Sequence, residues 1–393
     1  MQTRESSFSI CRLAGSFILP VSAFLFLAVS CGSPEKNVPV NPADTANKVD
    51  IRALAPVVFG QPRNLPADNP ATKQGIALGR ALFYEPLLSA DNTISCASCH
   101  KPELAFTDGK AFSEGVGKQL GRRSSMSLQN LAWQKDYFWD GRASSLEEQS
   151  VFPITDAHEM NQTMGAAAAK LQGSAKYPPM FKKAFGTDVV SPLLIQRALA
   201  QFERTLISGN SRYDKYLAGT YTPTTQEALG MSLFFTHPTP GNSPQSTIRG
   251  ANCGDCHINI LTSGTTLDLD GFRNNGISRS FNSGDDYGLE EHTGSSADRG
   301  KFKIPALRNI ALTSPYMHNG MFSTLEQVVD HYNSDSLFNR PGVDPLITGA
   351  YNSRIQTGKL GLTTAEKQAI VSFLHMLTDS TFVSDTAYKA PSP

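Results

Sequence analysis

The chain has little charge and no surplus of either sign. Lys plus Arg total 35, Asp plus Glu total 35, and the formal net charge over 393 residues is zero. A nucleic-acid binder needs a basic face to neutralise phosphates, and this balance supplies none, so no nucleic-acid partner is expected. Charged residues make up 18% of the chain, against about a quarter in an average domain. Disorder is excluded by the 40% of apolar residues, ample for a core. Strand-like alternation is sparse, which removes all-β architectures. Tryptophan is nearly absent, with only Trp133 and Trp139. Cysteine is scarce too: Cys11, Cys31, Cys96, Cys99, Cys253 and Cys256 are the whole set. The last four form two CxxC pairs, so no cysteines remain for a disulfide framework. Glycine (31) and proline (24) are plentiful without any period, which points to long irregular loops rather than a repeat.

The apolar run Phe17–Val29 is shorter than the about 20 residues a membrane span needs. Arg4 and Arg12 precede it, as in a secretory leader. It ends Leu27-Ala28-Val29-Ser30-Cys31, which is similar to a bacterial lipoprotein cleavage site. Cys31 is then the lipidated first residue of the mature chain; an ordinary leader with an incidental cysteine is the alternative. Residues 1–30 are thus expected to be a leader that takes Cys11 with it. Residues 31–58, rich in Pro, Asn, Asp and Lys, read as a flexible tether. The expected location is the bacterial cell envelope, as an exported lipoprotein on the periplasmic face of the outer membrane.

Both CxxC pairs are followed by histidine: Cys96-Ala97-Ser98-Cys99-His100 and Cys253-Gly254-Asp255-Cys256-His257. CxxCH is the attachment signature of c-type haem. Two thiols one helical turn apart can each add to a haem vinyl group, and the next residue then supplies the proximal iron ligand. A shared zinc site is disfavoured, because 154 positions separate Cys99 from Cys253 where zinc ribbons space their pairs by roughly 15–20. A redox dithiol is the other alternative. The flanks suggest duplication. Gly75–Phe83 and Ala228–Phe235 place apolar residues at helical spacing before each motif. Near the C-terminus, Thr363 and Glu366 form a capping box ahead of the apolar stripe Ile370, Val371, Phe373, Leu374 and Leu377. The expected fold is mainly α with long loops: two cytochrome c-like domains over 59–222 and 223–393, one covalent haem each.

Further motifs follow in order: Ala105–Gly109, Phe138-Trp-Asp-Gly-Arg142, Ser145–Gln149 with Pro153, Glu159-Met160, Phe302–Asn309 and Leu312–Gly320. Over roughly residues 60–380 this series resembles the bacterial di-haem cytochrome c peroxidase family, which includes the MauG-type oxidases. The resemblance implies that His100 ligates a peroxidatic haem and His257 an electron-transfer haem. It implies that Glu159 is the distal acid/base, with Gln149 and Pro153 beside it, and that Trp139 lies between the haems as an electron relay. Peroxide cleavage needs a proton carried between its oxygens, and a carboxylate in reach can do this. Taken alone, Glu159 also reads as a surface carboxylate beside Asp156, His158 as a surface histidine, and both tryptophans as core packing. Trp133 is left as structural.

Two departures from the family pattern define a subclass. Typical members carry a histidine after the first CxxCH that caps the peroxidatic iron until the other haem is reduced. Val116 stands there, and valine cannot ligate iron. The N-terminal iron is therefore expected to be open, or only water-bound, with both haems ferric. Typical members also use Met as sixth ligand of the C-terminal haem, whereas the matching position here is Tyr332, as in MauG-type members; Met317, Met321 and His331 are rivals. Calcium is a candidate third cofactor through Ser124 and the carbonyls of Thr313 and Pro315, although the family's Asn is replaced by Ser124. The leading expectation is a peroxidase that takes hydrogen peroxide and electrons from a small periplasmic cytochrome c or copper protein. A MauG-like oxidase of a protein substrate and a non-enzymatic dihaem electron carrier are the alternatives. Further candidate partners are the membrane, through the lipid on Cys31, and a second copy of the chain.

Overall fold

The computed structural model describes residues 47–236, 250–258, 271–278, 281–338, 340, 342–347 and 360–392. The leader, Cys11, Cys31 and the first part of the tether lie outside the described residues.

Two helix crossings organise the molecule. Helix α1 (Lys73–Phe83) begins at Thr72, whose hydroxyl accepts the Gly75 N–H, and buries Leu78, Ala81, Leu82 and Phe83 on one face. After it come α2 (Cys96–Cys99), α3 (Leu146–Gln149) and α4 (Val151–Thr155). Helix α5 (Pro192–Glu203), capped by Ser191 with Pro192 at its first position, lies across α1. The crossing needs glycine: a Cβ on Gly79 would sit 1.9 Å from the Ala198 carbonyl oxygen. The same device recurs in the second half. Helix α6 (Thr225–Phe235) crosses α8 (Thr364–Met376), and a Cβ on Gly230 would sit 1.8 Å from the Ala369 carbonyl oxygen. Capping boxes from Thr224 with Glu227 and Thr363 with Glu366 start both helices. Between them, α7 (Leu325–Tyr332) buries Leu325 and Val329.

Each crossing seeds a hydrophobic core. Leu78, Leu82, Phe83, Phe181, Leu194 and Phe202 belong to one, and Leu233, Phe234, Val329, Ile370, Phe373 and Leu374 to the other. The described residues from Asn47 onward form one compact unit. The molecule is mainly α, as expected. Among the described residues the strands are limited to β1 (Phe272–Arg273) and β2 (Phe302–Lys303), paired antiparallel with Phe272 opposite Lys303.

Two boundaries differ from the sequence reading. Val49 and Ile51 are docked on the fold rather than part of a free tether, while Leu54, Val57 and Val58 stay exposed. Val49 N–H donates to the Ala71 carbonyl, and Ile51 is buried with Phe59, Ala71, Ala132 and Trp133. An apolar Ile51 at 2% exposure has more to gain from this cluster than a polar tether would. At the other end, Phe382 belongs to the first core, so the cut at 222/223 does not follow the packing of the last residues. Asp379 makes that return: its carboxylate accepts from Ser208 Oγ and from the N–H groups of Gly209, Asn210 and Phe382.

Candidate functional site: two cavities and a shared wall

A cavity opens beside each CxxCH. Their empty volumes, about 1850 Å³ at the first motif and about 1870 Å³ at the second, include the mouths open to solvent. Each is lined by the two cysteines and the histidine of its own motif.

Helix α2 presents the first motif. Ser95 and Ser98 form a capping box that fixes the turn, and His100 N–H closes it on the Cys96 carbonyl. The imidazole is held from behind: Nδ1 lies 2.8 Å from the Phe106 carbonyl oxygen, which can only accept. The proton is therefore on Nδ1, and Nε2 keeps its lone pair for a metal, the arrangement in which haem-binding histidines are used. Burial lowers the His100 pKa and keeps the ring neutral. Ser125 Oγ, 2.7 Å from the Cys99 carbonyl, braces the same turn. Burial pushes the thiols of Cys99 and Cys256 up to about 11 and raises those of Cys96 and Cys253 as well. A redox dithiol needs the opposite shift. Among the described residues no three His, Cys, Asp or Glu side chains converge on a metal position, which removes the shared zinc site. Thiols, histidine and cavity thus fit a haem at each motif.

Gln149, Pro153 and Glu159 line the first cavity together, as the sequence reading expects. Helices α3 and α4 put Gln149 and Pro153 four positions apart, one helical turn. Glu159 is not a surface carboxylate. Burial pushes it up to about 7; nearby Asp156 adds to the rise and Arg142 opposes it. Asp156 and His158 are the exposed members of this turn, paired at 3.3 Å. The loop carrying Val116 is fastened to it. Val116 N–H donates to the Glu159 carbonyl at 2.8 Å, and a Cβ on Gly115 would meet the His158 and Glu159 carbonyl oxygens at 2.1 and 2.5 Å. Ser113 and Gly115 reach the cavity from this loop; the lining imidazoles are His100 and His158.

In the second cavity, His257 lies 6.4 Å from the Phe234 ring. Two of the four sixth-ligand candidates converge there. Asn275 Nδ2 donates to Tyr332 Oη at 3.1 Å and approaches Met317 Sδ at 3.5 Å. Burial pushes the Tyr332 phenol up to about 12, against the pull of the Asn275 amide. His331 turns its Nε2 to the Asn275 carbonyl instead, at 2.9 Å, and Met321 is 43% exposed.

The wall between the cavities is shared. Ser124, Trp139 and Lys303 line both. Trp139 Nε1 donates to the Ser124 carbonyl at 2.9 Å. His318 lies 6.5 Å from the indole and stacks on Phe302 at 3.6 Å. Burial lowers its pKa to about 4, so it is neutral at physiological pH. Trp133, by contrast, packs edge-on to Phe59 away from the wall. Ser124, Thr313 and Pro315 lie close enough together to line the second cavity. A calcium there would meet an unfavourable setting. Ser124 Oγ donates its proton to the Met317 carbonyl, and the neighbouring carboxylates Asp140 and Asp286 are bound to Arg123 at 2.6 and 2.7 Å. Neutral oxygens beside a guanidinium are a weak calcium site.

Sequence reasoning missed four residues. Arg142 lies 3.6 Å above the Phe138 ring on the wall of the first cavity. Glu203 faces that cavity at 5% exposure, and its Oε2 has no hydrogen-bond partner among the described residues. Burial pushes it up to about 8, so it is largely protonated at neutral pH. Asn275 and Lys303 are the others. Arg142 and Lys303 stand inside the Phe138–Arg142 and Phe302–Asn309 motifs, which was the available signal, whereas Glu203 and Asn275 lie in no motif and only the fold brings them to the cavities.

The family model for di-haem cytochrome c peroxidases matches residues 73–222. The methylamine utilization protein MauG of Methylorubrum extorquens is 34% identical over 325 residues, 80% of this chain and 86% of the relative. The cytochrome c551 peroxidase of Nitrosomonas europaea is 34% identical over 275 residues, 69% of this chain and 77% of the relative. Among solved structures, a MauG-like protein associated with microbial copper homeostasis matches at 31% identity with a TM-score of 0.72, over 86% of this chain and 98% of that one.

Proposed function

The chain belongs to the di-haem cytochrome c peroxidase family, and on that premise we propose that it reduces hydrogen peroxide to water. The reaction is H2O2 + 2 e⁻ + 2 H⁺ → 2 H2O. A haem joined to Cys96 and Cys99 and ligated by His100 supplies redox chemistry at the O–O bond when bound. The rest falls to the chain. Glu159 takes the proton from one peroxide oxygen and returns it to the other, leaving the second as water. A carboxyl near pH 7 both accepts and donates readily at neutral pH. The Gln149 carboxamide lines the same cavity, which supports a part in orienting peroxide. Trp139, on the shared wall, carries electrons from the side of Cys253, Cys256 and His257, where a small cytochrome c or copper protein docks. The observation that carries this reading is Glu159, half-buried on the wall of a cavity that also holds the first CxxCH, with the His100 Nδ1 turned to the Phe106 carbonyl.

Val116 in place of a capping histidine supports a first site that reacts without prior reduction. The leader and Cys31 support an exported lipoprotein on the periplasmic side of the outer membrane. Cys31→Ser is expected to release the protein from the membrane fraction.

The test is peroxide-dependent oxidation of reduced small cytochromes and copper proteins by the purified protein. Turnover with one of them is expected. A second reading, oxidation of a protein substrate as in a MauG-like enzyme, draws on Tyr332 held by Asn275 in the second cavity. Peroxide consumption with no small donor accepted would favour it. Two haems inert to peroxide would leave an electron carrier and defeat both.

A further inference from the structure

Lys303 is half-buried, an odd place for a lysine without a counter-charge. It sits on β2, opposite Phe272, and lines both cavities. Its backbone N–H donates to the Trp139 carbonyl at 2.7 Å, which ties it to the wall between the two CxxCH sites. Its Nζ donates to Gln134 Oε1, and Gln134 also lines both cavities. Among the described residues no carboxylate lies within ion-pair distance of this ammonium. Burial lowers its pKa to about 8, with Asp136 the one charge that resists. An ammonium partly withdrawn from water with only a neutral amide for company is costly, and such a group is normally compensated by an anion. Asp136 is the acid whose charge it feels, and the two do not form an ion pair. Both cavities give an anion from outside the polypeptide a path to it.

Resting on the di-haem reading, we propose that Lys303 is the shared anchor of the two haems, pairing with a propionate carboxylate from each. Carboxylates are the only charged groups on a haem rim. One ammonium has three donors, so it can serve Gln134 and two carboxylates at once. The same residue holds Trp139 by its main chain, so one side chain and its backbone would register both haems against the relay.

The test uses the full, haem-loaded protein. Haem content is measured first as the pyridine haemochrome. A wild-type chain without haem defeats the functional reading itself. With two haems present, the midpoint potentials of both are measured by spectroelectrochemistry in wild type, Lys303→Met and Lys303→Arg. Removing a cation from a low-dielectric wall disfavours the reduced state. Both potentials are expected to move to more negative values in Lys303→Met and to return most of the way in Lys303→Arg. A shift at only one haem, or at neither, overturns the shared anchor while leaving the functional reading intact. Should Lys303→Met fail to fold, Lys303→Arg alone decides. Its redox-difference infrared spectrum should show displaced carboxylate bands for both haems, because a guanidinium pairs in a fork where an ammonium is a point charge. Unmoved bands overturn the proposal.

Discussion

Glu159 and Tyr332 show how far a single residue can be read. The sequence alone leaves Glu159 between a proton carrier and a surface acid; burial decides, by raising its pKa to about 7. As the carboxylate is the form that accepts the first proton, the rate with peroxide should rise with pH through about 7. Glu159→Gln should remove that limb and slow peroxide cleavage by about 10²–10⁴-fold in stopped-flow traces. An unchanged rate would move the proton chemistry elsewhere, with Glu203, Arg142 and His158 the first ionisable residues of that cavity to examine. At Tyr332 the structure reduces four candidates to two. Tyr332→Phe is expected to change the absorption spectrum of the C-terminal haem, and Met317→Leu to leave it nearly as it was. The reverse pattern would give the ligand to Met317. The CxxCH residues were legible because attachment chemistry fixes their spacing. Lys303 and Asn275 were not: Lys303 lies in the Phe302–Asn309 motif without a chemistry of its own to mark it, and Asn275 lies in no motif, so only tertiary contacts bring them to the cavity walls.

Among the elements, the helices were the most legible. The apolar spacing of α1 and α6 and the Thr363–Glu366 box appear where the sequence places them. What crosses them was not. Gly79 and Gly230 look like weak points in two helices, and only the crossing carbonyls of Ala198 and Ala369 give the reason. Gly230→Ala should therefore destabilise despite alanine's better helix propensity, by about 1–3 kcal/mol or more, read as a fall in Tm. A stabilised protein would mean that the crossing yields easily. The loop over Glu159 makes a similar case. Gly115→Ala is expected to push on the Glu159 backbone and slow the reaction with peroxide, while haem content stays at the wild-type level. Unaltered kinetics would show that the loop does not position the carboxylate.

For the whole molecule, long-range polar contacts join parts that the sequence keeps apart. Arg308, fully buried, holds Asp214 through two bonds of 2.8 Å. Arg308→Met leaves that carboxylate buried without its cation and should cost about 3–5 kcal/mol. Asp379 returns the chain end to the first core. Burial alone would raise its pKa, but hydrogen bonds from Thr381, Asn210, Phe382 and Ser208 outweigh burial and hold it below the ordinary 3.8. Its folded value is below its unfolded one, so its contribution is present above that ordinary value and is lost as pH falls through the folded one. Asp379→Asn should lower Tm at neutral pH and blunt the further loss in acid; equal melting curves for mutant and wild type would contradict this. Such contacts were invisible in the sequence, since neither partner signals the other across more than ninety positions.

The decisive measurement is to mix the fully oxidised protein with hydrogen peroxide in a stopped-flow spectrometer and follow the haem bands. A fast change without any reductant is expected, because the loop at Val116 supplies no capping histidine and Glu159 already stands on the cavity wall. Silence until one haem has been reduced would contradict the open first site and mean that another group, His158 first among them, closes it.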